Sequence, residues 1–206
     1  MRQRLQKKSR GALLVALGSL WAVLVGAGLK ILANYEIGPG EAGDAPVVWP
    51  VASRMERHAG RATLVMAAHP RCPCTRASIR ELALLMARCQ GRVTATVLFI
   101  RPAGFEDGWE RSDLWDSASA IPGVTVRSDD QGVEARRFGA KTSGQTLLYD
   151  ADGRLLFSGG ITGSRGHSGD NAGRSAIAAL LTKGTAPRRR TSAFGCPLES
   201  PARPPT

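Results

Sequence analysis

The sequence has few of the residues that define several common classes of small protein. Its four cysteines in 206 residues are too few for a disulfide-stapled mini-protein. Aromatic residues make up 5% of the chain and show no RNA-binding pattern, and no internal repeat is present. The net charge of the middle of the chain is small, because residues 11–182 hold only two of the net eleven charges. We therefore expect no nucleic-acid partner.

Most of the net positive charge lies at the two ends of the chain. Five basic residues precede Gly11, and a net four charges lie in residues 183–206. Residues 11–29 are uncharged and as a helix would span about 28 Å, close to the hydrocarbon core of a bilayer. A cleaved signal peptide is the alternative, but the apolar run is long for one and no clear A-x-A site follows. The pattern favours an uncleaved anchor.

The charge pattern also sets an orientation and a domain plan. We predict a cytoplasmic basic segment at 1–10 and a transmembrane anchor at 11–33, in the inner (cytoplasmic) membrane of a bacterium. A Gly- and Pro-rich linker at 34–50 leads to a domain at 51–182 that faces the periplasm or the outside. Residues 183–206 are basic and Pro-rich, and we expect this tail to be disordered.

The most informative stretch of the domain joins two thiols to the start of a helix. An apolar strand ends near Ala68, and Cys72 and Cys74 follow with only Pro73 between them. Apolar residues then recur at helical spacing up to Arg88. Proline suits the first helical position, which makes Cys72 the helix N-cap. Unpaired N–H groups and the helix dipole there favour a reactive thiolate, whereas Cys74 should be more buried and more ordinary.

The predicted elements alternate along the rest of the domain. Their order is strand, helix, strand, helix, short strand, helix, strand, strand and helix, with the last two strands forming a hairpin. Helical connections favour parallel strands, and the hairpin adds an antiparallel pair. The fold class predicted is α/β, a mixed sheet flanked by helices and preceded by one N-terminal transmembrane helix.

Two segments resemble the thioredoxin-like superfamily, most closely its membrane-anchored, TlpA-type and peroxiredoxin-related members. VMAAHPRCPCTRASIREL matches the family's strand, thiol motif and helix, and RRFGAKTSGQTLLYDADGRLLFSGG matches its second half. The resemblance covers about residues 47–181, and HPxCPC with GGITGxRGHxGDN also looks like RedB-like proteins. It implies a thioredoxin-like fold, in which Cys72 attacks a partner disulfide and Cys74 resolves the product.

Two departures from the family pattern affect the site. The motif is C-P-C rather than C-x-x-C, and a disulfide across one residue closes a small, strained ring that would be easy to reduce. The position of the family's cis-proline falls on Gly144. The resemblance still implies that Thr142, Ser143 and Gly144 form a partner-docking loop near Cys72.

Four other residues have open interpretations. His69 precedes the thiols and is either a loop residue, a cation that lowers a thiol pKa or a metal ligand. His167 lies in a Gly-rich loop that is either exposed or closes over the thiols. Cys89 falls on the apolar face of its helix and is expected to be structural. Cys196, in FGCPL, is either part of a plain tail or a third redox thiol.

These residues support two functions and argue against a third. We expect a membrane-anchored, extracytoplasmic thiol–disulfide oxidoreductase that acts on protein thiols and disulfides without a cofactor. The alternative is a copper-binding protein or metallochaperone, with Cys72, Cys74, His69 and His167 as candidate ligands, because soft sulfur ligands select Cu(I). A thiol peroxidase is disfavoured. Peroxiredoxins place Thr or Ser three residues before the reactive cysteine, and this chain has His69 and Arg71 at the corresponding positions.

Overall fold

The computed structural model describes residues 2–58 and 60–198, with side chains omitted at 2–10 and 12. Two units are present, residues 1–37 and residues 38–206. The first is helix α1, Arg2–Ile37, whose segment Leu13–Ile37 is apolar and long enough to cross a membrane. The helix therefore extends four residues beyond the predicted anchor. The basic side chains of the predicted cytoplasmic segment 1–10 lie outside the described residues.

The second unit contains a five-stranded mixed sheet with helices on it, as predicted. The strands are β1 Ala62–Ala68, β2 Val93–Arg101, β3 Val124–Asp130, β4 Gln145–Tyr149 and β5 Leu155–Gly160. The helices are α2 Pro73–Arg88, α3 Asp113–Ser119, α4 Val133–Arg137 and α5 Ala172–Lys183. The strand order is β3-β2-β1-β4-β5, in which β1, β2 and β3 are parallel and β4 is antiparallel to both β1 and β5.

The central strand β1 is buried on both faces, which explains its continuous apolar sequence. On one face, residues such as Leu64 and Met66 join the main core with α2, α3 and α5. On the other face, Val65 packs with Phe138 and Tyr149 in a second cluster. The carboxyl end of β1 is therefore held rigidly between two cores, and the thiol motif follows it directly.

The predicted linker packs on the domain over most of its length. Trp49 stacks edge-to-face on Phe138 and Tyr149, with ring centroids 4.9 and 5.2 Å away. The Gly40 N–H donates to the Ala193 carbonyl at 2.8 Å. Residues 38–50 thus differ from the expected free linker, because an aromatic side chain and backbone hydrogen bonds hold them.

The predicted disordered tail also differs from the structure over residues 184–198. Ala193 and Leu198 are buried, and Ser158 forms hydrogen bonds with the backbone of Arg189 and Thr191. The small residues Gly159 and Gly160 allow this close approach, since a Cβ on either would overlap the tail backbone. The rest of the predicted tail, 199–206, lies outside the described residues.

Candidate thiol site

The site begins where β1 ends and α2 starts. Cys72 is the N-cap of α2 with an extended backbone, φ −91° and ψ 116°, and Pro73 takes the first helical position, as predicted. Cys74 lies in the first turn. Cys72 is only 1% exposed and Cys74 is 8% exposed. The expectation that Cys74 would be the more buried thiol is therefore wrong, and the reason is what covers Cys72.

Cys196 covers Cys72. The two sulfur atoms are 3.0 Å apart, and the Cys196 backbone N–H donates to the Cys72 sulfur at 3.4 Å. Cys74 is also in contact with Cys72, so three of the four cysteines meet at the start of α2. Cys89 lies at the other end of that helix, is 1% exposed and belongs to the main core, in agreement with its predicted structural role.

The surroundings of the three thiols separate their acidities. Burial acts to raise the pKa of Cys72, but hydrogen bonds from Cys196 and Thr75 outweigh it and lower the pKa from its ordinary value. Burial, and then the contacts with Cys72, raise the pKa of Cys74 and raise that of Cys196 to about 12. These shifts make Cys72 the most acidic of the three thiols.

The predicted docking loop lies beside the thiols. The Ser143 hydroxyl accepts a hydrogen bond from the His69 N–H at 2.8 Å and is 2.6 Å from the Thr75 hydroxyl. Gly144 has a φ of +85°, and its N–H donates to the Ala67 carbonyl at 2.8 Å. Glycine at the family's cis-proline position thus turns the chain with a left-handed backbone, and no peptide bond in the described residues is cis.

The end of the described chain covers this loop. The Ser143 N–H donates to the Cys196 carbonyl at 2.9 Å, and the Leu198 N–H donates to the Lys141 carbonyl at 2.9 Å. Thr142 and Pro197 form an antiparallel bridge between these two bonds. Residues 196–198 are therefore paired with the docking loop through one isolated β-bridge and its two flanking hydrogen bonds.

Arg165 completes the site, and sequence reasoning missed it. Its side chain donates to the Gly38 carbonyl at 3.1 Å and the Gly195 carbonyl at 2.5 Å, and it forms a hydrogen bond with the Cys74 thiol. The sequence does indicate the Gly-rich loop as a candidate part of the site, but because of His167 rather than Arg165. That histidine is exposed, with Nδ1 2.8 Å from the Arg165 carbonyl oxygen.

His69 faces the other side of the site. Its ring stacks edge-to-face on Trp109 at 5.9 Å, and its Nδ1 accepts from the Arg71 N–H at 3.2 Å. Burial, and then the Arg71 charge, lower the pKa of His69, which opposes the interpretation of the ring as a cation. Within residues 2–58 and 60–198, no group of three or more His, Cys, Asp or Glu is arranged to hold a metal.

A cleft of about 410 Å³ borders Cys72 on the α3 side. Arg71, Arg76, Arg111 and Trp109 line it, and the Arg71 guanidinium lies 4.9 Å from the Trp109 ring centre. Asp113 also lines the cleft and pairs with Arg76, and the remaining excess of positive charge beside the sulfur favours its thiolate and attracts anionic groups. The geometry supports nucleophilic attack by Cys72, with two other thiols close enough to receive the next bond.

The arrangement of strands and thiols now identifies the fold. A central strand leads into a thiol at a helix N-terminus, a parallel strand follows, and an antiparallel hairpin closes the sheet. The chain has a thioredoxin-like fold. A Cys72 thiol beside the loop that precedes β4 is the arrangement that the family resemblance implied.

Two solved structures share the fold of this chain at low sequence identity, and a third is similar over a smaller part of it. An uncharacterized conserved protein from Geobacillus kaustophilus matches with a TM-score of 0.56 at 16% identity, over 81% of this chain and 94% of that one. A hypothetical protein from Sinorhizobium meliloti 1021 matches with a TM-score of 0.55 at 19% identity, over 81% and 97%. A secreted disulfide oxidoreductase from Mycobacterium tuberculosis matches with a TM-score of 0.43 at 16% identity, over 61% and 83%. No protein-family model and no curated protein matches the sequence.

Proposed function

We propose that this protein is a membrane-anchored, extracytoplasmic thiol–disulfide oxidoreductase of the TlpA type. One observation carries the proposal: the Cys72 sulfur, at a helix N-terminus, lies 3.0 Å from the Cys196 sulfur and contacts Cys74. A structural thiol usually packs as a small hydrophobic residue in a core, as Cys89 does. Three thiols around one lowered pKa are instead typical of disulfide exchange.

The first step is attack on a partner protein. The Cys72 thiolate attacks one sulfur of the partner's disulfide and forms a mixed disulfide with it. The second partner sulfur leaves as a thiolate and takes a proton from solvent. Hydrogen bonds from Cys196 and Thr75 lower the pKa of Cys72 in the chain before a partner docks. The cleft lined by Arg71, Arg76 and Arg111 gives a partner one approach to Cys72.

The second step releases the partner. A resolving thiol loses its proton, attacks the Cys72 sulfur and expels the remaining partner sulfur as a thiolate, so the partner gains two electrons and this chain becomes oxidised. Cys74 is the resolving thiol in the sequence-based interpretation. We now propose Cys196 for this role, because its sulfur faces Cys72 directly and its bond to Cys72 closes no small ring.

Trapping experiments on the full-length chain in mild detergent test this function. Removal of the resolving thiol should let mixed disulfides accumulate on Cys72, and removal of Cys72 should abolish them. We expect Cys196→Ser to trap partner proteins, Cys74→Ser to trap fewer, and Cys72→Ser to trap none. Cys89→Ser is the matched control, since its thiol is buried away from the site, and should behave as the parent chain does.

The same samples test the copper alternative. Sulfur alone carries the proposed chemistry, so no cofactor is needed. The oxidoreductase proposal fails if the purified chain contains stoichiometric copper and no variant forms mixed disulfides.

A further inference from the structure

The chain's own residues occupy the surface on which a partner would dock. Two backbone hydrogen bonds and a bridge pair residues 196–198 with Lys141, Thr142 and Ser143. Pairing of this kind is how an extended peptide adds to the edge of a sheet or loop. Cys196 then lies where a partner's reacting cysteine would have to lie, against the Cys72 sulfur.

Gly195 makes the close fit of this segment possible. A Cβ at this position would overlap the Ser143 carbonyl oxygen, which is backbone and cannot move aside cheaply. Gly195 has no left-handed φ that would explain a glycine in another way. The residue is therefore required by the contact between the segment and the docking loop.

Leu198 anchors the segment beyond the thiols. It is 1% exposed and packs with Ala67, Ile100, Ala135 and Ala140. A cavity of about 270 Å³ continues past it along the apolar residues Ile100, Pro102, Ala103, Ala135 and Ala140, and Gln131, Gly132 and Arg136 complete its lining. This pocket accepts an aliphatic side chain two positions after a cysteine and has room for one larger than leucine.

We propose that residues 195–198 are a resident peptide on a docking surface formed by Lys141–Gly144, Cys72 and the Leu198 pocket. The partner that this surface fits is an extended peptide in which an aliphatic residue follows the reacting cysteine by two positions. Such a partner displaces the resident segment before Cys72 reacts with it. This inference rests on the proposed function for the identity of the reacting group, but not for the displacement itself.

Alkylation of Cys72 measures the displacement. The full-length reduced chain in mild detergent is treated with N-ethylmaleimide over a pH series, and peptide mapping locates the label. Rates are compared on the high-pH plateau, so that a changed thiolate fraction does not contribute. We expect Gly195→Ala to raise the Cys72 rate by roughly five- to thirty-fold, because a lost contact raises the open population by that order.

Two further variants make the alkylation result decisive. Gly163→Ala is the matched control: it adds the same methyl where no atom lies within 4 Å, and it should leave the rate unchanged. Leu198→Ala should raise the rate as Gly195→Ala does, and it takes the place of Gly195→Ala if that variant fails to fold. An unchanged Cys72 rate in a folded variant would overturn the proposal.

Synthetic peptides test the partner assignment. Gly-Cys-Pro-Leu and Gly-Cys-Pro-Asn, each with its cysteine as a nitrothiobenzoate disulfide, are added to the Gly195→Ala chain, or to Leu198→Ala if that chain is the one that folds. The Cys72 thiolate attacks the peptide sulfur and releases nitrothiobenzoate, which absorbs visible light. We expect the leucine peptide to react several-fold faster, and equal rates would overturn the aliphatic pocket.

If alkylation responds as expected but no partner protein is ever trapped, the proposed function fails and the displacement stands.

Discussion

Glu81 should be the strongest single determinant of how firmly the Gly-rich loop is held at the site. It lies on α2 and is 0% exposed. Its carboxylate accepts from the Gly169 N–H at 2.7 Å and the Asn171 side chain at 3.0 Å, and it pairs with Arg174 at 2.7 Å. The loop between β5 and α5, which carries Arg165, is thus tied to α2 through one buried charge.

Glu81→Ala removes the acceptor of all three groups. Breaking a buried ion pair from one side costs about 3–5 kcal/mol, and Arg174 is partly exposed, so we expect about 3 kcal/mol. With a urea dependence of about 1–3 kcal/mol per molar, the unfolding midpoint should fall by about 1–3 M. Tryptophan fluorescence of the full-length chain in mild detergent follows this transition. A looser loop should also speed alkylation of Cys72, because Arg165 holds the Gly195 carbonyl.

Asp170 provides a matched control on the same arginine. Its carboxylate is 3.0 Å from the Arg174 guanidinium, but its side chain is fully exposed, so water screens the pair. Asp170→Ala should leave the unfolding midpoint and the alkylation rate unchanged. The reasoning is refuted if Glu81→Ala shifts the midpoint no more than Asp170→Ala does.

Three other predictions concern the thiols and the anchor. Cys196→Ala should raise the pKa of Cys72, since a donor to the thiolate is lost, so the alkylation profile should move to higher pH; an unmoved profile would count against that hydrogen bond. Cys89→Ala should keep oxidoreductase activity and lose roughly 1 kcal/mol of stability, as read from the urea midpoint, and an inactive but folded variant would contradict its structural role. Protease added to intact spheroplasts should digest the domain, whereas a domain protected until lysis would reverse the predicted orientation.

Local patterns were sufficient to predict the centre of the fold. The thiols at the start of α2 were predictable because a buried strand, Pro73 and a helical period converge within a few residues. The mixed sheet followed from the order of the elements, and β3, at seven residues, is longer than the short strand predicted. The Asp129 carboxylate accepts two N–H groups at 2.8 Å, from Glu134 and Ala135, and so caps α4 from the strand.

Contacts between residues far apart in sequence were not predictable. Cys196 and Cys72 are 124 positions apart, and nothing near Cys196 except a short apolar patch marks it as part of a site. The Arg165 side chain forms hydrogen bonds with the Gly38 and Gly195 carbonyls and the Cys74 thiol, and no sequence motif predicts these contacts. The tail up to Leu198 contains few apolar residues, so its composition indicated disorder, although glycines on the sheet create a groove for it.

The distance along the chain between Cys72 and Cys196 links oxidation to folding. A disulfide between them would close a loop of nearly the whole domain, and the chain-entropy model gives such a loop about 5 kcal/mol of stabilisation. A Cys72–Cys74 disulfide would close almost no loop and give almost none. By thermodynamic reciprocity, a bond that stabilises the fold is itself stabilised by the fold. With Cys196 as the second thiol, the oxidised chain would therefore be more stable to heat and harder to reduce. With Cys74, the disulfide would add almost no stability and would be reduced readily.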